Sequence, residues 1–199
     1  MTDLEARRPH RIPISPAKPA KTPFVETSAE PRIFLPETEN RMSNLEGKKA
    51  PAFELPGSDG KRHRLKDYQG KILVVYFYPK DDTPGCTSEA CQFRDDYSQL
   101  AKAGAVVLGI SKDSVSSHEK FIEKYKLPFV LLSDEDTSVM KAYGAWGNKL
   151  MYGKPVTGTI RSTVVINGKG VVIRHWPTVK KAAEHPSDVL DFIKSLSDK

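Results

Sequence analysis

The sequence contains two cysteines, Cys86 and Cys91, with four residues between them. Both follow a strongly apolar run at residues 71–78. Thr83 is a favoured helix N-cap residue, and Pro84 suits the first helical position because its missing N–H would have no partner there. This arrangement predicts that Cys86 lies in the first turn of a helix, where the positive end of the helix dipole favours the thiolate. Since the thiolate is the nucleophile, Cys86 is a candidate catalytic residue.

Other functions for the two thiols have to be weighed against this one. A free cysteine is most often a small buried side chain. A zinc site needs about four ligands, and no suitably spaced pair of histidines accompanies these cysteines. A thiol–disulfide oxidoreductase normally has two residues between its cysteines rather than four. That activity and a non-enzymatic binding module remain the alternatives.

The spacing of the cysteines also limits when they can form a disulfide. Five residues along an α-helix give a rise of about 7.5 Å, and the two Cα atoms then lie about 8.6 Å apart. A disulfide requires Cα atoms about 4.4–6.8 Å apart. If both residues lie on one helix, we expect its first turn to unwind before the bond can form.

The elements that position the cysteines alternate between strand and helix patterns from residue 45 onward. We predict a hairpin from residues 53–55 and 61–65, buried strands at 71–78, 105–110 and 127–132, helices at 84–103, 114–125, 136–143 and 187–196, and a second hairpin from 163–166 and 171–176. Such an order predicts an α/β fold in which helices flank a central mixed β-sheet. The consecutive strands would be parallel, and the late hairpin would supply an antiparallel edge.

Composition separates the first part of the chain from the rest. Residues 1–44 hold seven of the fifteen prolines and none of the thirteen glycines, and they show no hydrophobic period. We predict that they form a disordered Pro-rich leader. The leader has no apolar core of the kind a secretory signal needs, and its six acidic residues argue against a transit peptide. A cytoplasmic location is therefore favoured.

Charge and hydropathy exclude several classes of partner. The chain has 199 residues and a net charge of +6, yet it contains no dense block of basic residues, so we expect no nucleic-acid binding. Its longest apolar run has the length of a strand, far below the roughly 20 residues of a membrane span. Two cysteines are also too few for a scaffold stapled by disulfides.

The motif around the cysteines resembles a known family. Pro79, Thr83 and Cys86 match the peroxiredoxin signature P-x-x-x-T-x-x-C, and Cys91 resembles the second thiol of the peroxiredoxin Q or bacterioferritin comigratory protein subfamily. The similarity extends over residues 45–196 and includes the run 158–163 before the late hairpin. It implies a thioredoxin-like fold in a domain at residues 45–199.

The resemblance implies a thiol peroxidase that reduces hydrogen peroxide and organic hydroperoxides. Cys86 would be the peroxidatic cysteine, oxidised to a sulfenic acid, and Cys91 the resolving cysteine that forms an intramolecular disulfide with it. Thioredoxin or a glutaredoxin would then reduce the disulfide. The family implies no metal or other cofactor, and a monomer or weak dimer.

The same resemblance implies roles for four further residues. Thr83 would offer its hydroxyl to the sulfur and the peroxide, and Pro79 would shield the thiolate from water. Arg161 would add positive charge beside the thiolate and orient the peroxide, and Glu89 would hold the guanidinium in place. Preorganised donors of this kind stabilise the negative charge that develops on the departing oxygen.

The predicted leader leads to a first test. A chain that begins at Met42 should match the full chain in peroxidase activity and in melting temperature, because residues 1–41 contribute no predicted core or site residue. Both quantities are measured on the two purified proteins. A loss of several degrees in the shorter chain would show that the leader packs on the domain.

Overall fold

A computed structural model describes residues 44–151 and 153–197. Its strands are β1 (Glu54–Pro56), β2 (Arg62–Arg64), β3 (Ile72–Phe77), β4 (Ala105–Ser111), β5 (Val130–Ser133), β6 (Trp146–Met151), β7 (Lys154–Thr159), β8 (Ser162–Ile166) and β9 (Val172–Trp176). Its α-helices are α1 (Pro84–Lys102), α2 (Val115–Tyr125), α3 (Ser138–Ala142) and α4 (His185–Ser197). A 3₁₀ turn at Leu65–Tyr68 joins β2 to β3.

The central sheet has the strand order β5-β4-β3-β8-β9. Strands β3, β4 and β5 run parallel, whereas β8 is antiparallel to both β3 and β9. The predicted mixed sheet with an antiparallel edge is therefore confirmed. Strands β1 and β2 form the predicted first hairpin, outside this sheet.

Strand β3 divides the core because its side chains point alternately to the two faces of the sheet. On one face, Val74 and Tyr76 pack in a cluster with buried residues of α1, α2 and α4. On the other face, Leu73, Val75 and Phe77 pack with residues of α3 and of the β1 region. Burial on both faces explains why this strand reads as one continuous apolar run.

Helix α1 begins where the sequence indicates, directly after the carboxyl end of β3. Thr83 is the extended N-cap residue, and Pro84 occupies the first helical position. The Thr83 hydroxyl does not cap the helix; it donates instead to the carbonyl oxygen of Lys80 at 3.0 Å. The backbone, with Thr87 N–H donating to the Thr83 carbonyl at 2.8 Å, therefore closes the first turn.

The structure departs from the sequence-based expectation at the start of β5 and in an additional hairpin. Strand β5 begins at Val130 rather than at residue 127, because Leu127 still donates its N–H to Ile122 at the end of α2. The sequence also gives no signal for the hairpin of β6 and β7, whose strands contain Gly147, Pro155 and Gly158. That hairpin ends immediately before residues 160 and 161, so it positions the segment that follows.

The predicted leader, residues 1–44, lies outside the described residues except for Asn44. From Leu45 onward the chain packs on the domain: the Leu45 side chain is buried, and its N–H donates to Nδ1 of His175 at 3.1 Å. Within the described ranges, no helix is both long and apolar enough to cross a membrane.

The turn between β8 and β9 offers a test of the packing. A Cβ atom at Gly168 would lie 2.8 Å from the Cα atom of Gly70, whose N–H donates to the Gly168 carbonyl. Because backbone must move to relieve this contact, Gly168→Ala should lower the free energy of unfolding by about 1–3 kcal/mol in denaturant titrations. Gly158→Ala is the matched control, since its nearest contact would be the Lys149 side chain at 3.5 Å. Equal stability of the two variants would contradict the packing described here.

Candidate active site

The Cys86 thiol lies at the start of α1, and the Arg161 guanidinium faces it. Cys86 is 1% exposed, and Nη2 of Arg161 donates to its Sγ atom at 3.2 Å. Arg161 belongs to the short connection between β7 and β8. The structure thus brings a cation and the positive end of a helix dipole to the same sulfur.

Glu89 fixes the orientation of the guanidinium. It follows Cys86 by three residues on α1, and its Oε2 atom accepts a hydrogen bond from Nη1 of Arg161. Glu89 is fully buried, and its Oε1 atom has no partner within the part of the chain that the structure describes. Burial raises the pKa of Glu89 to about 7, although the Arg161 charge acts in the opposite direction.

The backbone holds Arg161 in position, and His185 adds no competing charge. Its carbonyl oxygen accepts a hydrogen bond from Val179 N–H at 2.8 Å, and Ile160 N–H donates to Ala145 at 2.8 Å. Burial and the charge of Arg161 lower the pKa of His185 to about 4, so His185 is neutral at pH 7. The guanidinium therefore faces the sulfur and Glu89 without a competing cation from His185.

Cys91 lies farther along the same helix and is half-buried. Both cysteines are free thiols, and α1 is continuous from Pro84 through both of them. The two cysteines of this reduced structure therefore lie on one helix, as the sequence analysis supposed. At that spacing they cannot form a disulfide unless the helix unwinds.

Asp81 ties the loop before α1 to the start of α2. Its carboxylate accepts hydrogen bonds from the Tyr78 hydroxyl at 2.6 Å, the Ser117 hydroxyl at 2.7 Å and Nδ1 of His118 at 2.8 Å. Burial opposes ionisation of Asp81, but these hydrogen bonds outweigh it and hold the pKa below its usual value. An ionised Asp81 thus fixes the loop against α2.

The neighbouring residue, Asp82, ties the same loop to the end of α2. Its Oδ2 atom lies 2.6 Å from Nζ of Lys124, and its Oδ1 atom accepts a hydrogen bond from the Tyr125 hydroxyl at 2.6 Å. Asp82 has a φ of +56°, a left-handed conformation that is uncommon outside glycine. Both acidic residues of the loop are therefore held by one helix.

Pro79 and Thr83 lie in this loop, a short distance before Cys86 in the sequence. Pro79 is half-buried between β3 and Asp81. In the reduced structure the Thr83 hydroxyl is directed to Lys80. Their proposed contacts with thiolate and peroxide stay predictions.

Sequence reasoning missed the residues that hold the loop. The only local signal was the acidic pair at 81 and 82 directly after a buried strand. Their partners His118, Lys124 and Tyr125 lie about 40 residues away, at positions that read as one more amphipathic helix.

In the described residues, no cluster of three or more potential ligands is placed to hold a metal ion.

Comparison with known proteins identifies the family. The sequence profile of the AhpC/TSA family matches residues 46–175. Peroxiredoxin Bcp of Bacillus subtilis is 45% identical over 153 residues, which cover 77% of this chain and 97% of that protein. The chain belongs to the peroxiredoxin family. It is accordingly a thiol peroxidase, as the resemblance implied.

Solved peroxiredoxins share its fold. Peroxiredoxin Q of Xanthomonas campestris is similar with a TM-score of 0.68 and 42% identity, over 72% of this chain and 90% of that one. The thioredoxin-like fold expected from the resemblance is thus confirmed.

The buried carboxyl of this peroxiredoxin should make its stability depend on pH. Because the pKa of Glu89 rises from 4.5 to about 7 on folding, the native state binds the proton more tightly, and stability falls as pH rises between these values. Glu89→Gln removes this titration. Between pH 4 and pH 8, the difference in unfolding free energy should therefore shift in favour of the variant by about 3 kcal/mol.

Denaturant titrations across this pH range measure the shift, and Glu135→Gln, at an exposed position, is the control. A difference between Glu89→Gln and the parent that does not change with pH would contradict the assignment of a near-neutral pKa to Glu89.

Proposed function

We propose that this enzyme reduces hydroperoxides at Cys86, with Arg161 as the group that stabilises the reacting charge. The observation that carries the proposal is the 3.2 Å contact between Nη2 of Arg161 and the Cys86 sulfur in the first turn of α1. Burial opposes the charge of Arg161, but Glu89 and Cys86 outweigh it and raise the pKa of Arg161 above its usual value. Arg161 is therefore a cation whenever the thiolate is present.

In the first step the Cys86 thiolate attacks the terminal oxygen of the hydroperoxide. A sulfur–oxygen bond forms and the O–O bond breaks, so that the sulfur is oxidised by two electrons and the peroxide is reduced. The departing alkoxide takes a proton and leaves as an alcohol, or as water from hydrogen peroxide. Hydrogen bonds from Arg161 would stabilise the negative charge on the departing oxygen.

In the second step Cys91 attacks the sulfenic sulfur of Cys86. A disulfide forms, and the sulfenic oxygen leaves as water with the proton of the Cys91 thiol. Cys91 acts as the resolving residue in this proposal because it is the second cysteine of the chain and lies on the same helix. Since α1 must unwind first, resolution follows a local structural change rather than a simple side-chain rotation.

For the substrate, the reductant and the state of assembly, the proposal names classes rather than single molecules. Cys86 is buried, while Pro84 and Gly85 beside it are exposed, so peroxide approaches through the first turn of α1. A solved structure of the Xanthomonas campestris bacterioferritin comigratory protein is described in terms of alkyl peroxide reduction, and organic hydroperoxides are proposed here too. We further propose that thioredoxin or a glutaredoxin reduces the disulfide, in a cytoplasmic monomer or weak dimer.

Peroxide consumption by the purified chain tests the proposal. With thioredoxin, thioredoxin reductase and NADPH, the chain should oxidise NADPH only when hydrogen peroxide or an alkyl hydroperoxide is added. Reduction of insulin without peroxide turnover would instead identify a thiol–disulfide oxidoreductase.

Cysteine variants should separate the two chemical steps. Cys86→Ser should abolish peroxide consumption, because the nucleophile is removed. Cys91→Ser should retain one rapid oxidation per chain, to a sulfenic acid that mass spectrometry detects after dimedone labelling. Peroxide consumption by Cys86→Ser at the parent rate would refute the assignment.

Arg161 should affect chemistry more than folding. Arg161→Ala removes the hydrogen bonds to the sulfur and to the developing charge, so the second-order rate constant with hydrogen peroxide should fall by about 10²–10³, the usual loss on removal of one oxyanion donor. Stopped-flow measurements give the rate constant, and Arg174→Ala, at an exposed arginine of β9, is the control. An unchanged rate constant in Arg161→Ala would remove this residue from the site.

A further inference from the structure

A buried acid, Glu89, lies between the two cysteines on α1, three residues after Cys86 and two before Cys91. Its side chain is fully buried, and its Oε2 atom accepts a hydrogen bond from Nη1 of Arg161. The two thiols cannot join while this part of α1 is helical, because their Cα atoms are then about 8.6 Å apart. The segment that must change shape for the disulfide thus carries a buried carboxyl.

The dithiol form solvates the anion of Glu89 poorly. The Oε1 atom has no hydrogen-bond partner among the described residues, and only Arg161 forms an ion pair with Glu89 there. A buried charge is costly unless it is both paired and hydrogen-bonded, and one oxygen of this carboxylate would have neither water nor a donor. Burial accordingly outweighs the Arg161 charge and raises the pKa of Glu89 to about 7.

The other titratable groups near Glu89 bring no second cation. The Cys86 sulfur accepts from Nη2 of the same guanidinium. Burial, and then the charge of Glu89, raise the pKa of Tyr76 on β3 well above its usual range, so Tyr76 stays neutral. At the start of α4, burial and the Arg161 charge lower the pKa of His185 to about 4, so His185 is neutral near pH 6. Arg161 is thus one cation facing two acids.

We propose that Glu89 couples one proton to the Cys86–Cys91 disulfide: near pH 6 the carboxyl holds a proton in the dithiol form and releases it to water when the bond closes. The inference rests on the proposed function, since it concerns the bond between these two thiols. Closure requires α1 to unwind around Glu89, which brings the carboxyl from its buried site to solvent. There its affinity for a proton returns to that of an ordinary glutamate.

The proton of Glu89 adds to the chemistry of the two thiols. When a dithiol reductant opens the disulfide, two electrons and two protons pass to the protein sulfurs, and the reductant becomes a disulfide. Glu89 returns to its buried site and takes up a third proton from water. Because only the dithiol form binds this proton tightly, acid favours that form, and the added preference is lost as pH rises from 4.5 to about 7. Above this range Glu89 is ionised in both forms.

A titration of the Glu89 carboxyl in both forms of the full chain tests the coupling. In uniformly ¹³C-labelled protein, the Cδ signal of Glu89 is assigned through its side-chain correlations and followed by NMR against pH. It should titrate about 2.5 pH units higher in the dithiol form than in the disulfide form. The exposed Glu135 is the internal control and should titrate alike in both. This signal reports the carboxyl alone, so the ionisation of the thiols does not enter it.

A second measurement follows the same proton through the stability of the disulfide. Each chain is equilibrated with mixtures of reduced and oxidised glutathione, and mass spectrometry after alkylation quantifies its dithiol and disulfide forms. Glu89→Gln keeps an oxygen that can accept from Arg161 but cannot titrate. Divided by the value for this variant, the equilibrium constant for reduction of the unaltered chain should fall about 40-fold from pH 5 to pH 7, and less than about twofold from pH 7 to pH 8. Glu135→Gln, the matched control, should behave as the unaltered chain does.

Equal pKa values of Glu89 in the two forms would overturn the proposal, because the carboxyl would then keep its surroundings when the bond closes. A ratio of equilibrium constants that does not change with pH would overturn it as well. The NMR titration uses the unaltered chain, so it decides the matter even if Glu89→Gln does not fold.

Failure of the proposed function gives a different result. Oxidised glutathione makes the bond here without peroxide, so a chain that forms the disulfide but does not consume peroxide refutes the peroxidase alone. If neither oxidant joins Cys86 to Cys91, the resolving role of Cys91 and the proton coupling are both refuted.

Discussion

The helix that places Cys86 beside Arg161 also keeps it from Cys91. On a continuous α1 the two Cα atoms lie about 8.6 Å apart, beyond the range in which a disulfide can form. The structure satisfies this condition, because α1 runs unbroken from Pro84 through both residues. The reactive form and the disulfide form therefore need different conformations of the same short segment, and the rest of the site is arranged around that constraint.

The constraint extends to the residues around the Cys86 sulfur. Glu89 lies between the two cysteines, so any unwinding that joins them also moves the carboxylate that orients Arg161. Arg161 itself is held from outside α1, through Val179 and the hairpin of β6 and β7. The loop before the helix is likewise held from outside, by Asp81 and its partners on α2. Part of the site thus lies on α1 between the two cysteines, and the rest is held from outside that helix.

The sequence was informative where a feature depends on local pattern. The buried run of β3, the start of α1 at Thr83 and Pro84, and the mixed character of the central sheet follow from hydrophobic period, capping residues and the sequence of strand and helix patterns. Arg161 and Glu89 could be assigned only through the family resemblance, because they lie 72 residues apart and read locally as ordinary surface charges. The hairpin of β6 and β7 gave no signal, since its pairing depends on the fold around it rather than on alternating apolar residues.

Hydrogen exchange measured by mass spectrometry shows whether the first turns of α1 unwind when the disulfide forms. Peptides that cover residues 84–95 are compared in the dithiol and the disulfide forms, with the buried strand β4 as the internal reference. We expect faster exchange of these peptides in the disulfide form and unchanged protection of β4. Equal protection of residues 84–95 in both forms, with the Cys86–Cys91 bond verified by mass, would contradict this expectation.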